Sequence, residues 1–217
     1  MGIPVLIMGE SGTGKSTSLR NFEPDEIGIV NVQGKPLPFP NEFKCVQTKD
    51  FDTILRACTQ SKTNAVVVDD FGYAITDYYV RNSLDDETRA KDQFEVFKRI
   101  AAKVYTVFDG IANDGNPDRI CYFTMHAERG NYGELQPLTV GKLLNEKIKI
   151  VGMLTICIVS KVEDGEYLFV VNGLPPAKTP MGMFADAEIP NDLKAVDSAI
   201  RGYYGLAPLA KSGGADG

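Results

Sequence analysis

Residues 9 to 17 read GESGTGKST, and the spacing from Gly9 through Gly14 to Lys15 and Ser16 is that of a loop that wraps phosphate. Glycines let backbone N–H groups curl around an anion, the lysine supplies a point charge, and the hydroxyl beside it is placed to ligate Mg²⁺. Gly9, Glu10, Ser11, Gly12, Thr13, Gly14, Lys15, Ser16 and Thr17 are therefore the expected contacts of a nucleoside triphosphate. A metal on those phosphates needs a carboxylate at the tip of a buried strand. NAVVVDD, residues 64 to 70, offers Asp69. Asp70 follows it, either as the group that orients or deprotonates an attacking water or as a turn residue leading onward. His126, the only histidine, ends the run CYFTMH, where a polar group can touch the terminal phosphate and report its loss to the next loop. Thr124 shares that strand and by alternation faces the same way, so either residue is a candidate sensor. Lys178 stands in PPAKTPMGMF, a stiff, proline-rich loop. It reads as a solvated lysine or as a cation lent to a neighbouring subunit's nucleotide.

Such groups need a frame to hold them, and strand and helix signals alternate as a parallel sheet with crossover helices requires. IPVLIM (3 to 8) reads as a buried strand with Pro4 at its tolerated start, and KSTSLRNF after the loop reads as a helix whose positive end, opening at Lys15, adds to the anion site. Further strands are expected at 26 to 32, 43 to 47, 64 to 70 and 119 to 126, with a helix at 50 to 60 capped by Asp50. Apolar residues recur every three or four positions between Asp85 and Ile111, predicting a long amphipathic helix that NDGNP breaks. Residues 128 to 141 read as a polar loop, and 138 to 148 as including a helix. MLTICIVSKVEDGEYLFVVNG (153 to 173) reads as two strands joined at Asp164-Gly165, a hairpin signal. Asn191 is expected to start a last helix carrying Leu193, Val196, Ile200 and Tyr203.

A chain of 217 residues fits one α/β domain, expected over 1 to 206, with the small polar tail 207 to 217 disordered. Net charge is −6 and the pI near 4.9, which excludes a whole-surface attraction to nucleic acid or anionic membrane and makes any DNA contact local. Cys45, Cys58, Cys121 and Cys157 form no C-x-x-C pair and read as free thiols suited to a reducing cytoplasm. No signal-peptide pattern precedes the first strand and no apolar run is long enough for a membrane span, so a cytoplasmic protein without membrane contact is expected.

With the phosphate loop at 9 to 16, the acidic pair at 69 and 70, the strand ending in His126 and the late hairpin followed by Lys178, the chain resembles RecA-like P-loop ATPases. It is similar in particular to short, phage-borne, AAA-annotated members of little more than the core, some of which are single-strand annealing recombinases. The resemblance spans roughly residues 3 to 205 and implies a mostly parallel sheet flanked by helices, ATP and Mg²⁺ as ligands, and assembly of identical subunits into a ring or filament. It also implies single-stranded DNA as partner, held by the loop after His126. Arg129, Asn131, Tyr132 and Lys142 are the candidate contacts there, Tyr132 by stacking and the cations by phosphate pairing.

Two positions depart from the family pattern. A catalytic glutamate is usual at the end of the second strand, where Gln33 stands instead. An amide orients water but takes no proton, so slow hydrolysis is expected, with Asp70 or Glu10 as substitute base. The late loop carries one cation, Lys178, where relatives often have two. Two other classes share the phosphate loop: a small-molecule kinase, for which 113 to 145 offers only Arg119 and Arg129 as lid cations, and a nucleotide-switched adaptor or loader without DNA binding, which Gln33 and the acidity both suit.

Overall fold

The computed structural model describes residues 1–83, 93–130, 133–140 and 148–209. Hydrophobic alternation accounts for its centre. In β1 (Ile3–Gly9), Val5 and Ile7 face one side of the sheet and Leu6 and Met8 the other, all fully buried. β2 (Ile27–Asn31), β3 (Cys45–Val46), β4 (Ala65–Asp69), β5 (Ile120–Arg129) and β7 (Ile156–Glu163) run parallel with it, in the order β3-β2-β4-β5-β1-β7. β8 (Glu166–Val170) and β9 (Glu188–Pro190) continue the sheet antiparallel beyond β7, and β6 (Leu135–Pro137) pairs antiparallel with β5. The result is a nine-stranded, mostly parallel α/β sheet.

Helices cover both faces. α1 (Phe51–Gln60), α2 (Gly72–Ser83) and α3 (Gln93–Ala112) pack on one side through Phe51, Ile54, Ile75, Ile100 and Val104. α4 (Ile150–Met153) is a single turn. The short 3-10 helix Ser16–Asn21 and α5 (Leu193–Tyr204) pack on the other side through Leu19, Phe22, Val196 and Ile200. The crossover from β1, and the segment after β2 with Leu37, Phe39 and Phe43, thus lie on the face opposite to the helical crossovers from β3 and β4. A change of side of this kind opens a crevice at the carboxyl ends of the strands, where α/β sheets bind ligands.

Several expectations hold in detail. Asp50 caps α1 by accepting the Thr53 N–H at 2.8 Å. Asp164 and Gly165 both take positive φ, 50° and 82°, the two left-handed residues that a two-residue hairpin turn requires. Others are corrected. KSTSLRNF forms only a six-residue 3-10 helix. Glu23 precedes Pro24, which biases it to extended backbone, and Phe22 is already extended at φ −80°, ψ 147°. Residues 72–83, not read as an element, are helical. Residues 128 to 141 are not simply a loop, because β5 runs on to Arg129 and turns back as β6. The last helix is capped by Asp192, whose carboxylate accepts the N–H groups of Lys194 and Ala195, rather than by Asn191. The expected helix at 138 to 148 and the tail beyond 209 lie essentially outside the described residues, as does the start of the long helix. Among the described residues no helix is long and apolar enough to cross a membrane.

The amino ends of the strands are fastened by two buried arginines. Arg119 donates to the carbonyls of Thr59, Ser61 and Thr63 and pairs with Asp114 at 3.2 Å. Arg201 pairs with fully buried Asp197 at 2.6 Å and donates to the carbonyls of Asp118, Asn64 and Ala207. Tyr122 completes the group by donating its hydroxyl to Asp197 at 2.8 Å. Burial, with the Asp197 charge adding to it, pushes that hydroxyl's pKa well above the usual tyrosine value.

Candidate functional site

The glycine loop sits at the carboxyl end of β1, and its glycines are there for space and for handedness. Gly12 and Gly14 have φ of 81° and 83°, in the left-handed region that side chains disfavour. A Cβ on Gly9 would overlap the side chain and carbonyl of Ser160. Thr13 ties the loop to β7, its hydroxyl 2.7 Å from that of Ser160 and donating to the Glu10 carbonyl at 2.9 Å.

Lys15 is only 6 % exposed, and its ammonium donates to the carbonyls of Gly9 and Glu10 at 2.9 and 2.8 Å. Burial lowers its pKa, while the charges of Asp70 and Asp69 act in the opposite direction. Ser16 donates its hydroxyl to both carboxylate oxygens of Asp69, at 3.0 and 2.9 Å. Thr124 donates to Asp69 at 2.7 Å and accepts the backbone N–H of Asp70 at 2.8 Å. Asp69 is 6 % exposed, and burial raises its pKa against the two hydroxyl bonds and the Lys15 charge. Alternation sets this up: Asp69 follows Ala65 and Val67 on one face of β4, and Thr124 follows Ile120 and Tyr122 on the same face of β5.

Asp70 has φ 64°, a conformation that non-glycine residues adopt at a cost and that clusters at functional sites. Its backbone is held there by Thr124, whose carbonyl also takes the Phe71 N–H at 2.9 Å. The carboxylate is thereby turned out of the strand toward two partners, Lys35 Nζ at 3.7 Å and His126 Nε2 at 3.5 Å. Burial lowers the His126 pKa from its ordinary value, assisted by Lys15 and Lys35 and opposed by Asp70. Tyr73 meets the His126 ring edge to face, and Lys35 lies 5.1 Å from the Tyr73 ring centre.

Lys15, Ser16, Asp69, Asp70, Thr124 and His126 are thus brought together, as the sequence suggested. Gln33 follows Val32, whose N–H donates to the Asp69 carbonyl at 3.2 Å, and so lies at the tip of β2 beside the acidic pair. Lys178 is not part of the cluster. Its backbone forms a bridge with Cys157, which is level with Leu6 in the middle of β1. Arg129 reaches the loop instead, 3.7 Å from the Glu10 carboxylate, with both side chains mostly exposed. Asn131, Tyr132 and Lys142 lie outside the described residues.

Sequence reasoning missed Lys35. Asn31 delivers it: the amide accepts the Gly34 N–H at 2.7 Å and donates to the Lys35 carbonyl at 2.6 Å, folding the chain after β2 back over Asp70. The Asn-x-x-Gly spacing was the available signal, a side chain closing a turn on its own backbone.

Among the described residues no three histidine, cysteine, aspartate or glutamate side chains gather as a metal site. A hard cation here would rest on Ser16, Asp69, water and phosphate oxygens. That is a donor set suited to Mg²⁺, which keeps its waters and shares its coordination with the nucleotide. No model of a known protein family matches the chain, and no curated protein matches it either.

Proposed function

We propose that the chain is a RecA-like, Mg²⁺-dependent ATPase of slow turnover that acts on single-stranded DNA. One observation carries the reading: Ser16 and Asp69, 53 residues apart, meet at 2.9–3.0 Å directly beneath a glycine loop that holds Lys15. Lys15 and the loop N–H groups would bind the β- and γ-phosphates, and Ser16 with Asp69 would hold the cation. Mg²⁺ bound there supplies charge neutralisation on the phosphate oxygens. His126 stands at the terminal-phosphate side of the loop, and the β5–β6 hairpin that follows it is the segment through which nucleotide state would reach DNA.

The same geometry supports slow turnover. Both Asp70 oxygens face partners, Lys35 at 3.7 Å and His126 at 3.5 Å, which an attacking water would share with the carboxylate. Gln33 is placed to orient water and has no basicity to offer. Asp70→Asn is expected to lower kcat by about 10²-fold or more, the usual contribution of a general base. Gln33→Glu is expected to raise it. Single-turnover phosphate release measures both, and an unchanged rate in Asp70→Asn would leave the acidic pair with no proton-accepting role.

Asp69 offers a test in which stability and binding move in opposite directions. Its folded pKa is raised above the unfolded value, so the stability linked to it is present below the unfolded pKa and is lost as pH rises through the raised one. Asp69→Asn escapes that loss. Its Tm at pH 7 is expected to equal or exceed that of the wild type, the difference closing as pH falls below the ordinary carboxylate range, while Mg²⁺-dependent ATP binding disappears. Retained Mg²⁺ dependence would remove Asp69 from the metal site.

Sedimentation with and without ATP and a short oligonucleotide tests the whole assignment. ATP-dependent assembly with DNA binding that weakens as salt rises is expected. The adaptor reading has one observation in its favour, since Arg129 is turned toward Glu10 and the Gly133 carbonyl. Assembly on ATP without any oligonucleotide binding would select it.

A further inference from the structure

Two side chains of the antiparallel arm press on Gly14 of the phosphate loop, and neither has a part in the chemistry above. A Cβ on Gly14 would meet Tyr167 Cδ1 at 2.8 Å and Asn191 Nδ2 and Oδ1 at 3.2 and 3.3 Å. Tyr167 stands in β8 and is 51 % exposed. Asn191 follows β9 and is 2 % exposed. Its N–H donates to the Tyr167 carbonyl at 3.1 Å, and its carbonyl accepts from Arg20 at 2.7 Å. The side-chain Nδ2 has no hydrogen-bond partner among the described residues. A buried amide donor with no acceptor costs stability and calls for an explanation. Here the unpaired donor lies against the loop that the phosphates would occupy.

Sheet order gives the direction in which a nucleotide would lie. Asp69, Asp70 and His126 belong to β4 and β5, on one side of β1, whereas Ser160 and Tyr167 belong to β7 and β8, on the other. With the terminal phosphate directed at the carboxylates, the sugar and base leave across Gly14 toward β8.

We propose that Tyr167 and Asn191 form the nucleoside end of the site, the Tyr167 ring stacking on the base and Asn191 Nδ2 donating to an oxygen of the sugar. The proposal rests on the reading of residues 9 to 17 as a nucleoside triphosphate site. Stacking is tolerant of base identity because every base presents a π-face, so ATP and GTP bind with similar affinity. What the arm distinguishes is a nucleotide from bare polyphosphate.

The chain has no tryptophan, so Tyr167→Trp places the sole indole at the proposed stacking position. Its emission is expected to change on titration with MgATP and to stay constant with Mg-tripolyphosphate, although both ligands raise the Tm of the wild-type chain. Tyr167→Ala, at a half-exposed position, is expected to weaken MgATP about tenfold with tripolyphosphate unaffected. If both ligands bind but alter the indole emission of the Tyr167→Trp variant equally, or if Tyr167→Ala keeps full ATP affinity, the nucleoside subsite is wrong and the loop assignment stands. If neither ligand binds the wild-type chain, the loop assignment fails and takes the subsite with it.

Discussion

Lys15→Ala is expected to abolish the thermal stabilisation by MgATP that the proposed site would give the wild-type chain. At a ligand concentration of about 100 Kd, binding to the folded state alone adds about 2.7 kcal/mol. For a domain of this size that raises Tm by about 5–10 °C. The variant should show a shift near zero. Lys15 is the only cationic residue within residues 9 to 17, and charge-assisted hydrogen bonds are about twice as strong as neutral ones. Its present acceptors are the buried carbonyl of Gly9 and the part-buried one of Glu10, and leaving them to water or unpaired costs about 1–3 kcal/mol each, less than the whole stability of a domain. The fold should therefore survive the loss. A variant that responds to MgATP as the wild type does would end the phosphate-loop assignment.

The second large effect is on stability. Asp197→Ala strands the Arg201 guanidinium, 3 % exposed, and leaves the fully buried Tyr122 hydroxyl without its acceptor. Removing one partner of a buried ion pair costs about 3–5 kcal/mol, because the remaining charge is uncompensated. Urea unfolding should show that loss as a lower midpoint at an unchanged slope. The MgATP-induced shift in Tm should persist, since the group lies at the opposite end of the strands from the loop. A loss under about 1 kcal/mol would mean that water reaches Arg201 and that the arginine does not fasten the sheet.

The parallel centre of the fold was legible because its signals are local. Alternation in IPVLIM and NAVVVDD, the Asp50 cap and the Asp164-Gly165 turn each depend on residues within a few positions of one another. The elements that escaped depend on distant partners. β9 is three residues, two of them Glu188 and Pro190, and has no strand pattern of its own; it exists because β8 offers it a ladder. α2 contains Tyr73, Ile75, Thr76, Tyr78, Tyr79 and Val80, residues that favour strands by propensity. It is helical because Asp70 turns the chain and Ala74 and Ile75 find buried places. The site divides in the same way. Lys15, Ser16 and Asp69 could be read from spacing and strand position, whereas Lys35 on Asp70 and Asn191 beside Gly14 are contacts between segments far apart in the chain; the Asn-x-x-Gly turn marks a bend at 31 to 34 but not the carboxylate that the lysine meets.

The two outer margins of the sheet are unusually narrow. On one side β3 has only Cys45 and Val46, and on the other β9 has only Glu188, Ile189 and Pro190. Neither presents a run of free N–H and C=O groups long enough to template another chain, and a proline and a charge blunt the second further. Among the described residues, therefore, neither margin favours copies joining by extension of their sheets into one continuous ribbon. A ring or filament of the kind proposed would then be held by side chains and bound nucleotide, a contact that is reversible and sensitive to the ligand rather than locked by backbone hydrogen bonds.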